Sequence, residues 1–190
     1  FTLSMDIQIQ SLNHLLSILS NNGIDYSDWG KEATKPIEKL WEEIELDETR
    51  IRIEAGEVLR VVSVANVFVK YEPTEGECLQ LWEVRQVFAN GVIDDSREHD
   101  FIAEKGYPSE NELEWAARAL KEELQIRVPT SRIVTLGDEI RDGDEEVTRY
   151  PGLKSKYHVY KFEVFLSEEE FKQEGYVEEQ KDKKTYFVWK

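Results

Sequence analysis

Apolar residues change their spacing near Arg50, and that change limits what this 190-residue chain can fold into. Before it, Leu12, Leu15, Leu16 and Leu19 recur at helical intervals and Asn22-Gly23 supplies a stop. Pro36, a residue favoured at a first helical position, then opens a run in which Ile37, Leu40, Trp41 and Ile44 share one face. After it, Ile51 and Ile53 alternate with arginines, Val62, Val64 and Val67 to Val69 come next, and "CLQLWEVRQVF" alternates between two faces. That β-branched, period-two pattern predicts strands, with Ala55-Gly56-Glu57 as a turn and Asn90-Gly91 as a hairpin signal. Two more strands are expected in "RIVTLGDEI" and "KYHVYKFEVFL", a short helix or turn in "SEEEFKQEGY", and a last strand in "KKTYFVWK".

The predicted class is therefore α+β, with helices packed on a mixed sheet. Residues 1–49 are expected to form an N-terminal helical hairpin, with Trp29 as its anchor. A unit of that size buries its own core poorly, so it packs on the later part of the chain or on a partner chain. Residues 50–190 form the main domain. Between the strands lies one strong helix, within "YPSENELEWAARALKEELQI". Ser109-x-x-Glu112 reads as a capping box, and Leu113, Ala116, Ala117, Leu120 and Leu124 form its apolar stripe. Glu122 and Glu123 fall in its last turns, where the helix dipole disfavours negative charge and a bound cation would relieve them.

Forty acidic against 24 basic residues give a formal net charge of −16, which argues against a nucleic-acid polymer and an anionic membrane surface. A small anionic ligand bridged to carboxylates by a divalent cation stays compatible with that charge. Cys78 is the single cysteine, so an intrachain disulfide is excluded and a reducing compartment such as the cytoplasm is expected. No apolar run reaches the length of a membrane span. His14, His99 and His158 lack metal-ligand spacing, and no P-loop, Rossmann, zincin or EF-hand pattern occurs.

Ala116 to Ile126, "AARALKEELQI", resembles the second half of the Nudix box, Gly-x5-Glu-x7-Arg-Glu-U-x-Glu-Glu-x-Gly-U with U aliphatic. With Arg118 on the motif arginine, seven residues separate it from Glu110, as the motif requires. The resemblance covers roughly residues 50–190 and implies a Nudix-like α/β/α sandwich, with the hairpin as an addition. The chain departs from the motif at three places: Glu104 stands at the leading glycine, Ala119 at the first helical glutamate and Gln125 at the late glycine. Gly106-x5-Glu112 matches the front half in a competing register, two residues out of step with the back half.

The resemblance implies a chemistry. In the family the helical glutamates hold Mg²⁺ or Mn²⁺, which neutralises a diphosphate and helps generate the attacking water. Transferred here, the metal ligands are Glu110, Glu122 and Glu123, and the catalytic group is Glu122, Glu123 and Arg118, the arginine orienting a glutamate. Glu145 or Glu146 would supply the acidic residue from a later loop. The implied function is a metal-dependent pyrophosphohydrolase acting on a nucleoside diphosphate linked to another moiety, slowed by the alanine at position 119. The alternative is a catalytically inactive Nudix fold used for nucleotide sensing or protein interaction, with a homodimer among its assemblies. Lys105, Arg85, Arg97, Lys154 and Lys156 are candidate phosphate contacts, and Tyr150 and Tyr157 are candidate base-stacking residues; for each, an ordinary surface or packing role is the commoner outcome.

Overall fold

The computed structural model describes residues 4–31, 34–96, 98–143 and 149–190. Its class is α+β. The elements run β1 (Ser4–Ile7), α1 (Leu12–Asn21), α2 (Ile37–Glu45), β2 (Arg50–Glu54), β3 (Glu57–Tyr71), β4 (Leu79–Phe88), β5 (Ile93–Asp94), β6 (Ile102–Lys105) and α3 (Glu112–Leu124). A single 3₁₀ turn at Thr130–Arg132 then leads to β7 (Val134–Asp142), β8 (Lys154–Phe165), β9 (Tyr176–Glu179) and β10 (Lys183–Trp189). The pairings are mostly antiparallel. β1 and β9 were not anticipated from the sequence, and "SEEEFKQEGY" forms turns rather than a helix before entering β9. No helix among the described residues is long and apolar enough to cross a membrane.

The chain divides into two compact units. The first takes the residues up to Ser63, Lys105–Ser109 and Glu139–Val159. Within it β1, β2 and β3 pair in that order. Glu54 faces Glu57 across the two-residue loop Ala55-Gly56, both with positive φ (52° and 82°), the conformation whose twist matches a tight hairpin. An alanine in that conformation stores about 1 kcal/mol that glycine or asparagine would not. The core of this unit comprises Leu15, Leu19, Trp29, Leu40, Ile51, Val58, Tyr150 and Leu153. Both N-terminal helices thus bury their apolar faces against strand residues, and the Trp29 indole is fixed by donating from Nε1 to the Pro151 carbonyl at 2.9 Å. Tyr150, considered from sequence as a stacking residue, lies in this core against Trp29, with ring centroids 5.1 Å apart.

The buried face of α2 also carries a charge. Glu43 is 6% exposed, and its carboxylate receives five donors from different parts of the unit. Lys35 Nζ (2.7 Å), Lys105 Nζ (3.1 Å) and Tyr150 OH (3.3 Å) reach Oε1. Arg60 Nη2 (2.8 Å) and Thr49 Oγ1 (3.1 Å) reach Oε2. Burial by itself would raise the carboxyl pKa. The charges of Arg60 and Lys105 and the hydrogen bonds from Lys35 and Arg60 outweigh it and hold the group well below the ordinary carboxylate range. Lys105 also meets Glu48 at 2.8 Å, so this lysine is spent on a structural network and not held out for phosphate.

The second unit takes Val64–Glu104, Glu110–Asp138 and Tyr160–Lys190. Its strands run in the order β3-β4-β10-β9, with β5 joined to β4 through the Asn90-Gly91 turn. β10 and β4 slip register between Tyr186 and Phe187, a bulge that changes the inward phase of β4. Leu81 and Glu83 point inward before it and Gln86 after it, where unbroken alternation would have chosen Arg85. Gly175 brings the chain against β10 so closely that a Cβ would lie 2.0 Å from the Phe187 carbonyl oxygen. The apolar stripe of α3 (Trp115, Ala116, Ala119, Leu120, Leu124) packs on Val67, Val69, Leu81, Phe162, Val164 and Phe187. Among the described residues β7 pairs with β8 alone, all nine of its residues are exposed, and Val134, Leu136 and Ile140 are among them.

Removing one member of a buried, hydrogen-bonded ion cluster leaves the others without compensation, so Glu43→Ala should destabilise the protein by about 3–5 kcal/mol. Because the folded pKa of Glu43 lies below its unfolded value, its contribution is complete above the unfolded pKa, near 4.3, and is lost as pH falls towards the folded one. Chemical denaturation of wild type and variant at pH 7 and pH 3 checks both statements; the gap between them should narrow at pH 3.

Candidate site on the third helix

The start of α3 is set by Asn111, whose side chain accepts from the Glu114 amide at 3.0 Å while Glu114 Oε2 accepts from the Asn111 amide at 2.7 Å. This capping box lies two residues beyond the one expected at Ser109 and Glu112, and the helix runs from Glu112. The correction has a physical reason. Glu110 must stay outside the helix to reach Arg118, because eight residues of continuous helix would hold the two about 12 Å apart along the axis. In the preceding loop it folds back, and Arg118 Nε donates to Glu110 Oε2 at 3.0 Å.

Arg118 also takes Glu104, at the end of β6, with Nη1 3.1 Å from Oε1. Its third acidic neighbour, Glu122, stands further off at 3.9 Å and is about half exposed. Burial would weaken the guanidinium charge, but Glu104 and Glu110 more than offset that, and its pKa is raised. Two of the three departures from the motif thus acquire explicit roles. Glu104, at the leading glycine, is an ion-pair partner of Arg118. Gln125, at the late glycine, is the residue that ends the helix in the left-handed conformation (φ 59°, ψ 29°), where glycine is the usual occupant. The third, Ala119, is 0% exposed within the apolar cluster.

Glu123 faces other surroundings. It is half-buried, and burial pushes its carboxyl pKa well above the ordinary range, with the charges of Glu178, Glu104 and Glu83 acting in the same direction and Lys183 opposing them. Glu83 is itself buried and accepts from Gln86 Nε2 at 3.1 Å; Gln86 Nε2 in turn lies 3.5 Å from Thr185 Oγ1. Glu83, Glu104 and Glu178 were not singled out as site residues from the sequence. Glu104 was marked only as a departure from the motif, and Glu83 only by its place on the alternating strand.

The residues expected to act together are therefore divided between two environments. Arg118 gathers Glu110, Glu104 and, loosely, Glu122, whereas Glu123 couples to Glu83, Glu104 and Glu178. The oxygen-rich donor set suits a hard divalent cation in kind. Its arrangement does not: among the described residues no three Asp, Glu, His or Cys side chains are placed to hold a metal ion. Glu145 and Glu146, and the candidate phosphate contact Arg97, lie outside the described residues. Arg85, Lys154 and Lys156 are already ion-paired, with Asp95, Glu57 and Glu54 respectively. Trp115 is buried, edge-on to Tyr160 with ring centroids 5.5 Å apart.

Two substitutions probe this helix. Gln125→Gly relieves the left-handed backbone and should stabilise the protein by about 1 kcal/mol, seen as a Tm rise of roughly 2–4 °C in a thermal melt. Ala119→Glu restores the motif residue but places a carboxylate in the apolar cluster, at a cost of about 3 kcal/mol or more. It should lower Tm by at least ~6 °C.

No protein-family model matches the sequence, and comparison with curated proteins finds no match. Solved structures to which the chain is similar include a MutT/nudix family protein from Enterococcus faecalis, with TM-score 0.39 and 13% identity over 56% of this chain and 37% of that one. An Ap4A hydrolase from C. elegans has TM-score 0.34 and 12% identity over 56% of this chain and 68% of that one. RenU, a Nudix hydrolase from M. smegmatis, has TM-score 0.34 and 12% identity over 57% of this chain and 63% of that one. This chain thus spans little more than a third of the Enterococcus protein.

Proposed function

We propose that this chain is a Nudix-like module that has given up metal-dependent hydrolysis and acts by binding. The observation that carries this reading is the division of the helix's acidic groups. Arg118 engages Glu110 and Glu104, Ala119 stands in the apolar core where a third helical carboxylate would be needed, and Glu122 is left largely in solvent. Assisted attack of water on a diphosphate needs several carboxylate oxygens converging on one cation. Here Glu104 and Glu110 are instead paired with the Arg118 guanidinium, Glu122 faces solvent, and the Glu123 carboxyl, its pKa raised by burial, lies in a separate environment.

A second reading is a slow pyrophosphohydrolase acting on a nucleoside diphosphate derivative, and one observation favours it. Burial, joined by the charges of Glu178, Glu104 and Glu83, raises the Glu123 carboxyl pKa, and a strongly perturbed carboxyl is a frequent property of functional sites. On that reading these residues would hold Mg²⁺ or Mn²⁺, which when bound supplies charge neutralisation for the diphosphate. The chain's own part would be to position Glu123 through its crowded neighbours and to fix the Glu110 loop through Arg118.

The test is a hydrolysis panel of ADP-ribose, NADH, sugar nucleotides and nucleoside triphosphates with Mg²⁺ or Mn²⁺, run beside Glu123→Gln. The binding reading expects turnover at background for every compound and no difference between the two proteins. Product formation that Glu123→Gln abolishes would replace it with the hydrolase reading. Thermal shift with the same compounds refines the reading: stabilisation without turnover supports a nucleotide sensor, and no response to any of them favours a purely structural role.

A further inference from the structure

We infer that Arg118 is the resident counter-ion of this site, taking the place that a divalent cation holds when helical carboxylates converge. The inference rests on the reading of the chain as a module without metal chemistry, and it says how that state is maintained. A lone buried guanidinium needs one carboxylate to balance it, yet the side chain of Arg118, 14% exposed, has two within 3.1 Å, on two separate elements. Glu110 comes from the loop before α3 and Glu104 from the end of β6. A guanidinium is suited to this because its planar fork carries five donors and keeps its charge at any physiological pH.

Glu104 is the informative residue. At its position the motif that α3 resembles has a glycine, which offers no side chain for Arg118 to bind. In this chain the position carries a carboxylate, and that carboxylate is turned onto the arginine. The loss of a carboxylate at Ala119 and the gain of one at Glu104 therefore do not cancel into an equivalent ligand set. They shift negative charge away from the helix face and onto the arginine, where one oxygen each of Glu104 and Glu110 is committed to an N–H donor. A hard cation has to displace those bonds before it can collect the same oxygens at its own shorter distances.

The experiment is Mn²⁺ binding by the full chain, followed by the EPR signal of free Mn²⁺, with the thermal shift caused by Mn²⁺ as a second measurement. Wild type should bind no Mn²⁺ in the micromolar range and show no shift. Arg118→Gln, which removes the charge and keeps much of the side-chain volume, should bind Mn²⁺ at least tenfold more tightly than wild type and gain Tm when it is added. Arg118→Gln combined with Glu104→Gln should lose that gain, and Arg118→Lys, which keeps the charge, should stay as insensitive as wild type. If Arg118→Gln does not fold, wild type and Glu104→Gln decide the matter. Micromolar Mn²⁺ binding by wild type that Glu104→Gln weakens overturns the inference, as does a folded Arg118→Gln with no increase in affinity. A wild type that binds Mn²⁺ but hydrolyses nothing overturns this inference alone. One that hydrolyses a diphosphate while Mn²⁺ binding stays undetectable overturns the functional reading alone.

Discussion

The tie between Arg118 and Glu110 is the constraint on which the local architecture of α3 depends. It requires Glu110 to lie outside the helix, so the cap falls on Asn111 and the first turn begins at Glu112. Within the helix the period of about 3.6 residues and the packing of the apolar stripe assign the later positions. Ala119, Leu120 and Leu124 go to the core, Glu122 to solvent and Glu123 to the crowded side. Gln125 then ends the helix against the preference of its side chain, because the next turn has to bring Ile126 back to the same core.

The two units each contain one strongly perturbed glutamate, and the two are perturbed in opposite directions. Glu43 is buried among cations and hydroxyl donors, so burial is overcome and the carboxylate stays ionised. Glu123 is buried with the charges of Glu178, Glu104 and Glu83 acting on it, so burial and repulsion add and its carboxyl pKa is raised. The consequences for stability differ in sign. The first contributes above the acid range and is lost below it, whereas a carboxyl with a raised folded pKa opposes folding increasingly as pH rises through the interval between its unfolded and folded values. Similar side chains on similar amphipathic helices thus serve one unit as a fastening and in the other oppose folding as pH rises.

Much of the α+β pattern was legible in residue spacing, because core-facing positions recur with the period of the element that carries them. Leu15, Leu19, Leu40, Leu120 and Leu124 are buried at the positions their periodicity indicates, and the Ala55-Gly56 and Asn90-Gly91 turns fall where the dipeptides mark them. Short elements that depend on tertiary pairing were less visible. β1 is held by pairing with β2 and β9 by pairing with β10, neither of which a local window contains. The bulge opposite β10 hid the inward turn of Gln86, since a slip of register leaves no local mark in composition. Arg118, Glu122 and Glu123 could be found from a motif because their spacing is helical. Glu83, Glu104 and Glu178 converge from three strands, and only folding brings them near the helix.

The strand β7 gives the acidity of the chain a role unrelated to any ligand. Among the described residues it pairs on one side only and carries three exposed branched aliphatic side chains, the kind of edge that invites pairing with another strand. It lacks proline, and its alternation leaves Val134, Leu136 and Ile140 on one face with few charges between them. Between copies, the overall negative field from 40 acidic against 24 basic residues acts as a repulsion. Colloidal stability is therefore bound to ionic conditions: concentrated salt shortens the reach of that repulsion to a few ångströms, and acidity near the isoelectric point of about 4.7 removes it. Under either condition the limiting property of the molecule becomes the solubility of one sheet edge.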